Sequence, residues 1–325
     1  MFEMIFLGTS ASAPAIHRGL PSCVILAGEY RFLVDCGEGT QRQLLRSGLG
    51  YKRLNKVLLT HGHLDHILGL GGMISTFVRW GSIEELEIWG GKSALNRVES
   101  LIYEVVLRDE RPPIPIHLYD LREGRMFRAK DFSVSAFPVT HRGSGNFGFI
   151  FQEDDRHPFL VEKAEALGVP NNALRGQLVR GESITLDDGR VITPDMVLGE
   201  KTHGSKLVYI GDTGRTDNLR GYVADADTLI IESTFLESEA EEAKAYGHIT
   251  AHQAATLASE MGVKALILNH ISGRYRERDI IQEARSVFPN SYVARDFDHF
   301  MLKRGGDLQK VTLQIDVNET EDETS

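Results

Sequence analysis

Three histidines and one aspartate lie within six residues, in the run His61-Gly62-His63-Leu64-Asp65-His66. The whole chain has 12 histidines in 325 residues, so chance does not explain this density. Imidazole nitrogens and carboxylate oxygens are the ligands that zinc and related ions take in hydrolytic sites. The run therefore predicts a metal site that supports hydrolysis.

Three further candidate ligands, His141, Asp212 and His270, each follow an apolar segment that is predicted as a strand. In α/β folds, the carboxyl ends of neighbouring strands meet at one edge, where such folds place their sites. Seven donor residues are too many for one four-coordinate ion, so we expect two ions. The expected sets are His61, His63 and His141 on one ion, Asp65, His66 and His270 on the other, and Asp212 as the bridge.

Two divalent ions roughly 3.5–4 Å apart stabilise the attacking and leaving oxygens of a phosphoryl displacement. They also lower the pKa of a bound water, which supplies hydroxide near neutral pH. The chain has 36 basic and 46 acidic residues, a net charge of −10, which opposes binding of a polyanion by bulk charge. We therefore expect the ions or a local basic patch to attract any nucleic acid.

Strand-like and helix-like segments follow one another along the chain and predict an α/β protein. Its 325 residues suggest roughly two domains, or one domain with an insertion. No apolar stretch is long enough for a transmembrane helix, and the N-terminus is typical of a first strand rather than a signal peptide. The two cysteines, Cys23 and Cys36, lie in apolar surroundings and are expected to be buried free thiols in a cytoplasmic protein.

The texture of the chain changes between residues 153 and 204, where charged residues, glycine and proline replace strand-like runs. We expect one domain from 1–152 and 205–308, with 153–204 as an inserted arm that lacks its own core. The alternative for this segment is a compact small domain. Residues 309–325 are expected to form a strand remnant and an acidic, disordered tail.

Within the apolar segments, we expect a helix from Asp65 towards Trp80 and another from Lys92 to Val106. The glycines at 69, 71 and 72 weaken the first prediction but allow close backbone approach.

At these motifs the sequence resembles the metallo-β-lactamase superfamily and, within it, the ribonuclease Z family of tRNA 3′-processing endonucleases. The His-x-His-x-Asp-His run is typical of the superfamily. Other stretches resemble the narrower family: Phe6–Ser10, Asp35–Gln41, Gly211–Thr213, Glu232–Phe235, Gly247–Thr250 and His270–Tyr275. The likeness extends over the chain to about residue 305.

The resemblance implies an αβ/βα sandwich with an inserted arm and two Zn²⁺ per subunit, although Mn²⁺ or another divalent ion suits the same ligands. It implies a homodimer in which the arm of one subunit binds precursor tRNA while the other subunit cuts. The implied product is tRNA with a 3′-hydroxyl, after removal of the 3′ trailer. Neither a membrane nor DNA is an expected partner.

Glu232 and His248 resemble the proton relay of that family, because a histidine held by a carboxylate can protonate a leaving 3′-oxygen. The alternatives are a buried strand-end carboxylate for Glu232 and a capping or surface histidine for His248. Asp65 is expected to act as a metal ligand, as a base that orients the hydroxide, or as both. Arg274 is a candidate contact for a substrate phosphate, or else for an acidic side chain, and Asp35 is expected to support a ligand histidine.

Two other functions remain open from the residues alone. The same two ions would also serve a phosphodiesterase or esterase that acts on a small molecule. A catalytically silent metal-binding or RNA-binding module is the third candidate, although every candidate ligand position is filled.

Overall fold

The computed structural model describes residues 1–81, 83–108 and 110–312. Its strands are β1 (Phe2–Gly8), β2 (Ser22–Ala27), β3 (Tyr30–Val34), β4 (Lys56–Leu58), β5 (Leu86–Gly90), β6 (Ile116–Asp120), β7 (Gly124–Arg128), β8 (Phe132–Pro138), β9 (Phe147–Glu153), β10 (Ile184–Thr185), β11 (Val191–Ile192), β12 (Lys206–Tyr209), β13 (Thr228–Glu232), β14 (Ala265–Asn269), β15 (Ser291–Val293), β16 (His299–Leu302) and β17 (Leu308–Val311). The acidic tail expected at the C-terminus lies beyond the described residues.

The helices alternate with these strands. They are α1 (Thr40–Arg46), α2 (Leu64–Ile67), α3 (Gly69–Trp80), α4 (Lys92–Ser100) with a π-helical continuation (Leu101–Val106), α5 (Val161–Ala166), α6 (Ala173–Val179), α7 (Pro194–Val197), α8 (Arg220–Val223), α9 (Ala240–Tyr246), α10 (Ala251–Glu260) and α11 (Glu277–Val287). Short 3₁₀ turns lie at Asp217–Leu219 and Glu237–Glu239. In the described part of the chain, none of these helices combines the length and the apolar character that crossing a membrane requires.

Two mixed sheets form the frame of the fold. In the described residues, one has the order β17-β16-β1-β2-β3-β4-β5-β6 and the other the order β15-β14-β13-β12-β9-β8-β7. Strands β3 to β6 run parallel to one another, and so do β12 to β15. Antiparallel hairpins extend each sheet at the other side.

Three apolar clusters join four layers, in the order helices, sheet, sheet and helices. The inner faces of both sheets share one cluster, rich in aromatic rings such as Phe6, Phe32, Phe149 and Phe151. A second cluster joins the outer face of the first sheet to α1, α3 and α4, and a third joins the outer face of the second sheet to α10 and α11. The predicted αβ/βα sandwich is confirmed, since burial on both faces of each sheet requires helices outside and a shared core inside.

Residues 153–204 form a separate compact unit, and the rest of the described chain forms the other. The segment holds α5 to α7 and the small sheet β10-β11. Our expectation that it lacks its own core is wrong. Buried apolar side chains are spaced through the charged sequence and pack on each other: Ala164, Val169, Leu178, Ile184, Ile192 and Val197.

The helix expected from Asp65 to Trp80 is two helices, α2 and α3, that meet at Leu68. The amide of Gly69 donates to the carbonyl oxygen of Cys36, at 2.9 Å. A Cβ on Gly69 would lie 2.0 Å from the carbonyl oxygen of Gly37, so only glycine permits this approach. The close passage of the backbone past residues 36–37 interrupts the helix.

The sequence analysis missed the strands β6 and β7, which lie at the edges of the two sheets. Each strand has only five residues and none of their side chains is fully buried, so the apolar signal that indicates a strand is weak. Both cysteines are free and buried, as predicted, and burial raises the pKa of the Cys36 thiol to about 12.

Candidate metal centre

The His61–His66 run joins β4 to α2. His61 and His63 lie in the turn before the helix, with His63 at its N-cap, and Asp65 and His66 lie in its first turn. His61 and His66 are buried, while His63 and Asp65 are half-buried. A strand that ends in a tight helical turn therefore presents four candidate ligands within one short segment.

The distant candidates arrive on the second sheet. His141 follows β8, Asp212 follows β12 and His270 follows β14 directly. The end of β12 approaches the first sheet closely, since a Cβ on Gly211 would lie 2.8 Å from the hydroxyl oxygen of Thr60. Glycine at 211 thus lets Asp212 reach the histidines that follow β4.

Asp212 lies at the centre of the cluster, and its two carboxylate oxygens face different histidines. Oδ1 is 3.4 Å from Nε2 of His66 and 3.3 Å from Nε2 of His270. Oδ2 is 3.5 Å from Nε2 of His61 and 3.6 Å from Nε2 of His141. One carboxylate therefore faces two separate groups of imidazole nitrogens.

The donor atoms of the described residues form three sets that suit metal ions, each with ligand atoms within 4.8 Å of one another. One set is His61, His63, His141 and Asp212, and another is Asp65, His66 and His270. The third, Asp212, His248 and His270, shares two of its members with the first two sets. Nε2 of His66, Oδ1 of Asp212 and both ring nitrogens of His270 are buried and have no hydrogen-bond partner among the described residues. Buried polar atoms are normally satisfied, so these orphaned atoms fit bound cations.

Hydrogen bonds fix which ring nitrogen several histidines present. Asp35 accepts from Nδ1 of His66 and from the hydroxyl of Thr60, both at 2.8 Å. The Thr60 hydroxyl in turn accepts from Nδ1 of His61, at 3.0 Å, and the carbonyl oxygen of Gly247 accepts from Nδ1 of His141, at 2.6 Å. With Nδ1 engaged in each ring, Nε2 is left to bind a cation.

Burial and the neighbouring imidazoles set the charge states in the cluster. Burial lowers the pKa of His61, and His66 lowers it further, so the His61 ring is neutral and ready to ligate. Burial alone would raise the pKa of Asp212, but His270 and His66 outweigh it and hold that pKa well below its usual range. The central carboxyl is therefore ionised.

Glu232 and His248 form a second unit beside the cluster. Glu232, the last residue of β13, is completely buried, and its Oε1 accepts from Nδ1 of His248 at 2.9 Å. The amide of Thr213 donates to the same oxygen at 2.6 Å, and the hydroxyl of Thr234 donates to Oε2 at 2.6 Å. Burial lowers the pKa of His248, but the Glu232 carboxylate outweighs burial and raises it to about 9.

A cavity of about 340 Å³ opens onto these residues. Arg274 lies on the wall of this cavity and forms an ion pair with Glu239 at 2.8 Å. The acidic side chain that the sequence analysis gave as an alternative partner of Arg274 is therefore present. The lining residues are Ala11, Ser12, His63, Asp65, His141, Arg142, Asp212, Thr234, Phe235, Tyr246, His248, Ser272 and Arg274.

The structure brings together all the residues singled out from the sequence, and it adds some that sequence analysis missed. The amide of Ser12, a residue with φ of 56°, donates to Oδ2 of Asp65 at 3.2 Å. Thr60 could have been found from its place before His61, and Tyr246 from its place before Gly247 and His248. Ser12 carries no sequence signal, because its contribution comes from the backbone.

Comparisons with known proteins agree with this architecture. The model of the metallo-beta-lactamase superfamily matches residues 18–159, and that of the beta-lactamase superfamily domain matches residues 183–271.

Full-length relatives are also similar to this chain. Ribonuclease Z of Bradyrhizobium diazoefficiens is 47% identical over 93% of this chain and all of the relative. Ribonuclease Z of Archaeoglobus fulgidus is 39% identical over 91% of this chain and 96% of its own. The crystal structure of the short form of human tRNase Z is 25% identical, with a TM-score of 0.65, and the match covers 93% of this chain and 99% of that one.

The contacts of Asp35 predict that Asp35→Asn weakens metal binding without unfolding the protein. The carboxylate accepts from the Thr60 amide at Oδ1 and from the Thr60 hydroxyl and His66 Nδ1 at Oδ2. An amide has one acceptor oxygen and must turn its NH₂ group towards one of these donors, so the network that orients the His66 ring is broken. Changes of this kind typically lower metal affinity about 10- to 100-fold. Competition with a chromogenic chelator measures the dissociation constant, and Asp131→Asn, at an exposed aspartate, is the matched control. Equal constants for Asp35→Asn and the wild type would contradict the assigned role.

Proposed function

Because this chain belongs to the ribonuclease Z family, within the metallo-β-lactamase superfamily, we propose that the described cluster is its active centre and holds two zinc ions. The protein is a hydrolase and an endoribonuclease of tRNA 3′ processing. It cuts precursor tRNA at a phosphodiester and leaves a 3′-hydroxyl on the tRNA, and the released trailer carries the 5′-phosphate. The single observation that supports this assignment most is Asp212, which faces two separate sets of imidazole donors.

The proposed ligands of one ion are His61, His63 and His141, those of the other are Asp65, His66 and His270, and Asp212 serves both. Zinc is proposed over manganese because five of the seven proposed ligands are histidines. When bound, two such ions lower the pKa of a water and offset the charge of a phosphate. The residues around the two ions are proposed to orient the attacking water and to protonate the leaving oxygen.

We propose that Asp65 acts on the attacking water as well as on a metal ion. Its side chain lines the cavity, and the amide of Ser12 holds Oδ2 in place. A carboxylate oriented in this way accepts a hydrogen bond from a water and so fixes its direction of attack. Asp65 is therefore proposed as both ligand and orienting base.

His248 is proposed as the proton donor to the leaving 3′-oxygen. Glu232 engages Nδ1 and favours the cationic ring, so Nε2 can donate into the cavity that His248 lines. Glu232 is thus a positioning residue rather than a group that touches the substrate. The guanidinium of Arg274 has donors beyond its bond to Glu239, and these are proposed to contact a substrate phosphate.

The 153–204 unit is proposed as the arm that binds the body of the tRNA, with cutting by the partner subunit of a homodimer. Large apolar side chains are exposed on α1, α2, α3, the π-helix and the residue between α2 and α3. Helix α3 packs against both α1 and the π-helix, so we propose this surface for dimer contact. The exposed side chains are Leu45, Leu64, Leu68, Trp80 and Val105.

We propose a cytoplasmic location for the protein, because its proposed substrate is precursor tRNA and because both of its cysteines are free thiols.

The direct test is cleavage of a 3′-extended precursor tRNA by zinc-loaded protein, mapped to the nucleotide. We expect one cut next to the last nucleotide of the tRNA body, and loss of cleavage in Asp65→Ala. Turnover of a small chromogenic phosphodiester without any cut in the tRNA would favour the small-molecule alternative instead.

If His248 is the proton donor, its removal should lower the cleavage rate by an amount that depends on the leaving group of the substrate. His248→Ala should slow tRNA cleavage about 10²- to 10⁴-fold, the usual range for a general acid. A bis(nitrophenyl) phosphate should lose far less, because nitrophenolate leaves without a proton. Single-turnover rates on both substrates measure the difference. Equal losses on both would assign His248 a structural role.

Mixing two inactive variants tests the arm and the dimer together. A variant lacking residues 155–200 and the Asp65→Ala variant should each fail to cut precursor tRNA. In a mixed dimer, the Asp65→Ala subunit supplies the arm and the other supplies an intact active centre, so cleavage should return. The arm-deleted variant should retain turnover of the small phosphodiester. A mixture that stays inactive, although sedimentation shows dimers, would contradict cutting by the partner subunit.

A further inference from the structure

One wall of the cavity carries two arginines and two aromatic rings that the proposed chemistry leaves largely unused. The rings of Phe235 and Tyr246 are nearly parallel, with an interplanar angle of 7° and centroids 6.3 Å apart. Arg142 lies over Tyr246 and Arg274 lies over Phe235, with guanidinium carbons 5.4 and 5.7 Å from the ring centroids. Each ring therefore has the other ring and one arginine as neighbours.

This wall differs from a closed core cluster in its exposure. Phe235 is 5% exposed, whereas Tyr246 is 53% exposed although it lines the cavity. Arg142 is exposed as well, and its guanidinium donates to the carbonyl oxygen of Ala245 at 2.9 Å. An exposed aromatic ring that lines a cavity, with an exposed guanidinium beside it, is suited to stack on a planar ligand.

The wall is tied to the candidate ligands through the backbone. Tyr246 ends α9, and the carbonyl oxygen of the next residue, Gly247, accepts from Nδ1 of His141. Arg142 adjoins His141 in sequence. The position of the Tyr246 ring is therefore linked to the position of the cluster.

We propose that Tyr246 is a stacking platform for the base of the nucleotide on the 5′ side of the cut bond, the last nucleotide of the tRNA. This inference rests on the proposed function. The wall lies on the side of His248, whose ring centroid is 6.1 Å from that of Phe235. Since His248 protonates the 3′-oxygen that leaves, the nucleotide that carries this oxygen lies nearest the wall.

Chemistry favours a nucleobase over other occupants. Every base has a π-face, and stacking on aromatic side chains or on guanidinium planes is tolerant of sequence. A chain with a net charge of −10 cannot rely on many phosphate contacts, so stacking supplies affinity that bulk charge does not. A phosphate subsite would use the arginines but would have no use for the exposed ring between them.

The test compares Tyr246→Ala and Tyr246→Phe on two precursor tRNAs, one intact and one with an abasic last nucleotide. On the intact substrate, Tyr246→Ala should lower kcat/KM about 5- to 150-fold, mainly through KM, and Tyr246→Phe should stay near the wild type. On the abasic substrate, all three proteins should be equally weak. Tyr119→Ala, at an exposed tyrosine outside the cavity, is the matched control.

Equal losses for Tyr246→Ala on both substrates, or no loss on either, would overturn the proposal that Tyr246 is a stacking platform.

A binding measurement separates this outcome from failure of the proposed function. A precursor tRNA with 2-aminopurine as its last nucleotide should be quenched on binding wild-type protein and remain bright with Tyr246→Ala. If the wild type binds this tRNA without quenching, the platform is wrong even where cleavage proceeds. If the wild type neither binds nor cuts precursor tRNA, the proposed function and the platform both fail.

Discussion

The buried carboxylate of Asp212 is the constraint on which the rest of the centre depends. A lone ionised carboxyl is costly to bury, and here four imidazole rings lie within 3.3–3.6 Å of its oxygens. These rings cannot all be protonated at such short separations, because like charges in a buried site repel one another. Divalent cations held by this carboxylate and by the imidazoles would resolve the conflict, and they would satisfy the ring nitrogens that have no partner among the described residues.

The sandwich fold, which apolar burial stabilises, brings this carboxylate to the histidines. His61 to His66 lie on one sheet, and Asp212, Glu232 and His270 lie on the other. The shared aromatic core holds the two sheets face to face, while Gly211 permits contact with Thr60 at their common edge. Parallel neighbours β12, β13 and β14 end side by side, so Asp212, Glu232 and His270 emerge together.

Much of this was predictable, because the strongest signals are local or repeat at strand ends. The His61–His66 run is dense enough to be recognised alone, and the distant ligands each follow an apolar strand. The contact from Asp35 to His66 was also expected. By contrast, Ser12 and Gly247 act through backbone groups whose direction depends on the path of the whole chain. The core of the 153–204 unit was missed because its few apolar residues are scattered among charged ones, and β6 and β7 because edge strands are largely exposed.

The most direct measurement of the central claim is anomalous diffraction at the zinc absorption edge from crystals of zinc-loaded protein. The account predicts two peaks, roughly 3.5–4 Å apart, with one oxygen of Asp212 directed at each. In Asp212→Ala crystals, at least one of the peaks should be lost. A single peak in the wild type, or two peaks that persist without Asp212, would contradict the role of this carboxylate as the bridge.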